Sequence, residues 1–314
     1  MVICHAGWVK VSDMVASQVE PEVRRFYDGG LPALGTSPEV PPDPHEDPHI
    51  VLDRHSVEGH EQFALERRIA YRDRHFGELL VPADTVTFRT DLTSVPTLFT
   101  WLVPKTGAHL PAALLHDGLC FGDDEQPTFV STEGHAIDRV EANQIFRDAM
   151  ADTGTGVVRR WLVWSAVTTA TLVQGEQVPW RTPTTWRHRA VIGLSLLVVT
   201  VLGVLATLDL FDLGGIELPW MGDRPWWLEL PGGLAGAIAI PLVMGLAWGR
   251  FRVAGWVMGI GLAVLLHVTV GLLAVTGLYR FTEKVASRWP MVAAGLAVLV
   301  GFLAPVSVLV LVLV

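Results

Sequence analysis

RHRAVIGLSLLVVTVLGVLATLDLFD, residues 187–212, sets the architecture of this chain. Three basic side chains open it, residues 190–208 contain no Asp, Glu, Lys or Arg, and two aspartates close it. An apolar run of about 20 residues matches the hydrocarbon core of a bilayer. Further runs follow at residues 230–247, 253–278 and 291–314. A helix satisfies its own backbone polar groups in lipid, so each run reads as a spanning helix. The third run, about 26 residues at 1.5 Å rise, exceeds the core and is expected to tilt or to end in the interface. Residues 189–314 are therefore expected to form an all-α four-helix transmembrane bundle.

Charge divides at the same point. Residues 189–314 hold 13 of the 55 Asp, Glu, Lys and Arg side chains, with a net charge of +1, whereas residues 1–188 carry −10. An acidic front half repels nucleic-acid phosphate, so no nucleic-acid partner is expected. Cys4 and Cys120 have no ligand-like spacing and suggest neither a disulfide framework nor a zinc knuckle. The N-terminus has no basic segment followed by an apolar one, so it does not read as a signal peptide. The expected location is the cell membrane, multi-pass, with the N-terminal soluble domain in the cytoplasm.

Several features of the back half fit a lipid environment. Trp180, Trp186, Trp220, Trp226, Trp227, Trp248, Trp256 and Trp289 lie at or near the ends of the runs, where an aromatic belt forms. Arg187, Arg189, Arg250 and Arg252 mark the inner side by the positive-inside rule, and the acidic connection 209–229 marks the outer side. Arg280, Lys284 and Arg288 oppose that orientation under simple alternation. His267 is the ionisable side chain inside a run. With no charged partner in any span, it reads as a neutral imidazole bonded to a neighbouring helix rather than a proton site. Gly232/Gly236 and Gly255/Gly259 have the spacing that permits close helix contact, and with it self-association. The expected partner is the lipid bilayer; the protein partner stays unknown.

Residues 1–50 read as an acidic, Pro-rich arm and linker, because the prolines of TSPEVPPDPHEDPHI (36–50) block regular helix and sheet pairing. His45-Glu46-Asp47-Pro48-His49 spells HExxH, but Pro48 falls inside the helical turn that a zinc site needs, so the match is rejected. Residues 51–188 read as a small soluble α+β domain. Strand-like alternation occupies 64–72 and 77–88. Pro111 opens a buried helix, residues 138–150 form an amphipathic one, and residues 157–173 form a second, more apolar one.

Two polar groups interrupt this apolar pattern. His116 and Asp117 break the buried helix, and Asp91, Thr93 and Ser94 follow the strand region. Buried polar groups must be paired or they cost several kcal/mol, about 2–7 by transfer scales. Asp91 or Ser94 are natural partners for the pair, and Arg139 and Asn143, placed on the polar side of the amphipathic helix, are positioned to join them. Two readings stand. His116, Asp117 and Asp91 form a catalytic acid–base or metal site supported by Ser94, Arg139 and Asn143, or the same groups form a structural hydrogen-bond network. The cofactor is unknown; a divalent metal, if one binds, falls to His116 and Asp117.

The succession DLTSVP (91–96), AALLHDGLCF (112–121), DRVEANQIFRDAM (138–150) and RRWLVWSAV (159–167) resembles the phage- and prophage-associated domain of unknown function numbered 1353. The resemblance covers about residues 66–175. Its matching positions are Asp91, Ser94, Pro96, His116, Asp117, Arg139 and Phe146. Asn143 stands where the family usually carries aspartate, which would weaken any site that needs a carboxylate there. The resemblance implies no established activity. The expected function is a membrane-anchored binding or accessory module; the alternative is a hydrolase-like enzyme with a His-Asp site.

Overall fold

The structure is a computed structural model that describes residues 24–92 and 104–291, except residues 36, 58, 59, 105 and 124, together with residues 294, 295 and 298. The chain divides into two compact units, Met1–Ser94 with Lys105–Trp180, and Val95–Pro104 with Arg181–Val314.

The first unit is a sheet region followed by helices. Its strands are β1 (Phe26–Asp28), β2 (Leu52–Val57), β3 (His60–Leu65), β4 (Ile69–Arg72), β5 (Glu78–Val81) and β6 (Val130–Ser131). Its helices are α1 (Leu110–Leu119), α2 (Arg139–Asp152) and α3 (Val157–Gln174). An antiparallel sheet runs in the order β1-β4-β5-β6, and β2 with β3 forms a separate hairpin.

The sheet starts earlier than the sequence pattern suggests. β1 lies within the segment expected to be an arm, with Tyr27 fully buried and Phe26 opposite Tyr71 of β4. The Pro-rich stretch is also tied down, by single bridges Asp28–Asp43, Leu31–Val40 and Leu34–Ser37. Proline forbids a continuous ladder but leaves isolated pairings between the prolines intact. Gly30 makes this return possible: its φ is +69°, and a Cβ there would sit 2.0 Å from the Val40 carbonyl oxygen. Val86 and Phe88, expected to form strand beyond a Pro82-Ala83-Asp84 turn, do not: residues 85–87 continue as turn. Asp84 accepts from Val86 N at 2.8 Å and from the Thr87 hydroxyl at 2.8 Å, the local pattern by which aspartate competes with a strand.

α1 is enclosed on two sides. Ala112, Leu115 and Leu119 pack with Tyr71, Leu79 and Val81 of the sheet and with Ile145, Phe146 and Ala149 of α2. Leu114 points into a second cluster with Leu65, Ile69, Phe88 and Leu92. α2 begins with a complete capping box: Asp138 accepts from Val140 N and Glu141 N, while Glu141 accepts from Asp138 N, all at 2.8 Å. Its far end is fastened to the β4 region, where Asp152 accepts from Tyr71 Oη at 2.8 Å and from Arg74.

The second unit contains α4 (Thr182–Leu210), α5 (Trp226–Leu246), a single 3-10 turn (Gly249–Phe251) and α6 (Arg252–Arg288). α4 and the Trp227–Leu246 part of α5 are long and apolar enough to cross a membrane. The third run lies in α6, which continues as helix through the positions of Arg280 and Lys284, where a loop was expected. His267 lies on α6 at a position whose side chain is outside the described residues, as is nearly all of the fourth run, 291–314. The spaced glycines are occupied within the chain. Cβ atoms at Gly232 and Gly236 would meet Trp220, at Gly255 Trp248 and at Gly259 Pro241. Trp248 is buried within the chain, and its indole donates to Ser195 Oγ at 3.2 Å. An apolar cavity of about 170 Å³ lies among α4, α5 and α6, lined by Val199, Leu202, Trp220, Met221 and Leu234 among others.

Candidate functional site

His116 and Asp117 lie side by side on α1, and adjacent helical positions point about 100° apart. They therefore reach different partners, and among the described residues no hydrogen bond joins them. His116 turns toward α2 and α3. Its Nε2 is 2.8 Å from Asn143 Oδ1, and Asn143 Nδ2 donates to Thr171 Oγ1 at 2.9 Å. The Thr171 hydroxyl in turn donates to the Val167 carbonyl at 3.0 Å.

This chain of bonds fixes the histidine tautomer. A carbonyl only accepts, so Thr171 donates its hydroxyl proton to Val167 and accepts from the Asn143 amide. The Asn143 oxygen is left to accept, and Nε2 of His116 carries the proton. The ring also stacks on Phe146, with centroids 4.5 Å apart and planes 21° from parallel. Burial pushes His116 down to about 4 despite the Asn143 bond, and Arg139 adds to the fall. At neutral pH it is an uncharged imidazole.

Asn143 was expected on the polar side of α2 but is 1% exposed. An amide in this position is stable because both ends are bonded. Cys120, one turn after His116, places its Sγ 3.4 Å from Nε2. Burial pushes the Cys120 thiol up to about 12, with Arg139 pulling against it.

Asp117 turns toward the segment after β5. There Thr90 donates its hydroxyl to Asp117 Oδ2 and accepts from Leu92 N at 2.8 Å. Thr90 is itself pinned to β3 by a reciprocal backbone pair with Phe63, at 2.7 and 2.9 Å. Asp117 keeps a solvent-facing edge, yet enough protein packs around its carboxyl that burial pushes it up to about 7. Thr90 and Arg139 lower it, and the nearby Asp91 raises it. Asp91 is exposed and acts on Asp117 through space. Arg139, at the start of α2, influences His116, Asp117 and Cys120 alike. Ser94 lies outside the described residues.

The group is thus two branches sharing one helix turn. Of the two, Asp117 is the group that burial shifts toward neutrality. Among the described residues, no three His, Cys, Asp or Glu side chains come together to hold a metal ion. His116 and Asp117 diverge, as their neighbouring positions on a helix require.

Sequence reasoning missed three members of this region. Thr90 and Thr171 supply the closing hydroxyls, and nothing local distinguishes them from other threonines. Gln177 is the third. Its Nε2 donates to Leu119 O at 3.0 Å and Ile137 O at 3.1 Å, its Oε1 accepts from Phe121 N at 3.2 Å, and its carbonyl accepts from Arg139 N at 2.9 Å. A single side chain, three positions past α3, thereby ties the end of α1 to the start of α2.

No curated protein and no solved structure matches the chain. Residues 63–167, which include Thr90, Asp91, His116, Asp117, Arg139 and Asn143, match the family described as a protein of unknown function, DUF1353.

Proposed function

We propose that this chain is a multi-pass membrane protein that holds a phage-type DUF1353 domain at the cytoplasmic face as a binding or accessory module. The exposure of α4 and α5 supports this reading most directly. Only 17% of the apolar window in each helix is buried, and Leu197 and Val243 are 61% and 68% exposed. Helices so apolar and so open need lipid around them, because water would face large contiguous apolar patches. α6, which holds the third apolar run, supplies a further span of the bundle.

Alkaline carbonate treatment of membranes from cells expressing the full chain tests the anchoring. The protein is expected in the pellet, with the first unit digested by protease only after the membrane is opened from the cytoplasmic side. Release into the carbonate supernatant would refute the membrane reading.

The tuning of Asp117 supports a second reading, an acid–base enzyme of hydrolase type, with Asp117 as the proton carrier and His116 and Asp91 beside it. A divalent metal shared by His116 and Asp117 would require one of the two side chains to turn, since they face different partners. Metal analysis of the first unit, with and without His116→Ala, separates the two. Stoichiometric metal lost in a folded variant supports the enzyme; no metal, with loss of folding in the variant, supports the structural role of His116.

A further inference from the structure

We infer that Arg139, where the start of α2 meets the end of α1, binds the carboxylate group of a small ligand. This names a ligand class for the binding module proposed above and rests on that part of the reading.

The packing of α1 on α2 places this arginine. Asn143, one turn after Arg139 on the same face of α2, bonds His116. Gln177 holds the end of α1 against the start of α2 through Leu119 O and Ile137 O. The two helices therefore pass each other in opposite senses, and Arg139 stands against the turn of α1 that carries Asp117 and Cys120. Its charge is felt at both of them and at His116. Arg139, Asp117 and Cys120 each keep a solvent-facing edge, so a ligand from water can reach this place.

The protein supplies no carboxylate in contact with this guanidinium. Among the described residues, the Arg139 side chain makes no hydrogen bond and no ion pair. The acids around it are engaged elsewhere. Asp138 accepts from Val140 N and Glu141 N, and Glu141 accepts from Asp138 N. Asp123 accepts from Gln177 N at 2.5 Å, and Asp117 accepts from the Thr90 hydroxyl. The same capping box occupies the N–H groups at the helix end, so the helix terminus itself is not the anion site. A cation on the first residue of a helix is also disfavoured by the helix dipole. A half-buried arginine kept there without a partner is stabilised by an anion from outside the chain.

Charge selects the class of anion. One guanidinium balances one negative charge, and it stands in a half of the chain that carries −10. Asp91 adds its own negative field beside Asp117. That surrounding opposes a phosphate dianion. A carboxylate brings a single charge and two oxygens in a plane, the geometry onto which a guanidinium forks.

The test is saturation-transfer NMR of the full chain in micelles, titrated with sodium acetate at an ionic strength held constant with sodium chloride. Inorganic phosphate is added separately as a competitor. Saturable transfer to the acetate methyl protons is expected in the wild type. Arg139→Gln should weaken acetate at least about tenfold, and Arg139→Lys about threefold, since lysine keeps the charge and loses the fork. No saturable acetate binding in the wild type overturns the inference whatever the variants do. Equal acetate affinity in folded Arg139→Gln overturns it as well. Phosphate that binds more tightly than acetate overturns the carboxylate class. Release of the protein by carbonate removes the membrane anchoring and leaves the acetate result standing. Retention in the pellet without acetate binding removes only this inference.

Discussion

Nε2 of His116 donates to Oδ1 of Asn143 across 2.8 Å, and the direction of that bond is set by a carbonyl two partners away on α3. The resemblance places aspartate where this chain has Asn143, so Asn143→Asp reinstates a carboxylate against the imidazole. An opposite charge at this distance favours the imidazolium, and His116 is expected to titrate clearly above about 4. Imidazole Cε1 shifts followed by NMR across pH read the change directly; a midpoint that stays at or below 4 rules the reading out. Asn143→Leu removes both bonds and strands Nε2–H in the core, at a cost of about 1–3 kcal/mol.

The two shifted groups on α1 make opposite contributions to stability with pH. His116 has a folded value of about 4 against an ordinary 6.5, so the unfolded chain binds its proton first and stability is lost as pH falls through that window. Asp117 has a folded value of about 7 against 3.8, so the folded chain holds the proton and stability is lost as pH rises through it. Between about pH 4 and 6.5 the slopes, each up to about 1.4 kcal/mol per pH unit, oppose one another. Asp117→Asn should expose the His116 slope, and His116→Gln should expose the reverse. Urea unfolding of residues 1–180 at several pH values measures both. Variants whose slopes match the wild type would falsify the opposition.

Arg139 is the cation common to both branches. It lowers Asp117 and Cys120, so Arg139→Gln should raise both, moving Asp117 above about 7. With the Cys120 thiol already near 12, maleimide labelling of this residue in a Cys4→Ser background is expected to be slow at pH 7.5 and slower in the variant. Faster labelling in folded Arg139→Gln would contradict the assigned electrostatics.

Legibility in the sequence followed interaction range. α1, α2 and α3 were readable because Pro111, the Asp138–Glu141 box and the helical apolar periodicity are local signals. β1 was not, since three residues carry no period and Tyr27 is held by pairing with β4, more than 40 positions away. The same limit applied at the candidate site. His116 and Asp117 were visible as polar interruptions of an apolar helix. Thr90 and Thr171 were not, because a hydroxyl becomes a partner only once the fold has brought it there. Asn143 was assigned to the wrong face because amide polarity outweighed its spacing from Phe146. In the second unit, composition fixed the apolar runs but not the end of α6.

Gln177 provides a test of how the elements around the candidate site are held. Gln177→Ala leaves the Leu119 and Ile137 carbonyls and the Phe121 amide without their side-chain partner. These groups are half-buried, so the expected loss is about 1–3 kcal/mol in urea unfolding. Gln177→Glu keeps the acceptor for Phe121 N but sets a carboxylate oxygen against the Leu119 and Ile137 carbonyls, and should lose more than Gln177→Ala. A neutral Gln177→Ala would show that helix packing alone joins α1 to α2.

Gly118 sets how closely α1 approaches the sheet, and with it where His116 and Asp117 stand. A Cβ at residue 118 would lie 2.1 Å from Cγ1 and 3.0 Å from Cγ2 of Val81 on β5. Val81 is fully buried and branched at Cβ, so it has little freedom to turn aside. Gly118→Ala gains about 1 kcal/mol of helix propensity but overpacks a tight contact, typically worth 1–3 kcal/mol, and a net loss is expected. Val81→Ala alone opens a cavity and is also destabilising. Together the methyl fills the space the valine leaves, so the double variant should be more stable than the sum of the two losses predicts. A coupling of at least about 1 kcal/mol in a double-mutant cycle is the expected result. Simple additivity would mean that α1 shifts away from the sheet instead, and the Thr90–Asp117 bond should then lengthen in a structure of Gly118→Ala.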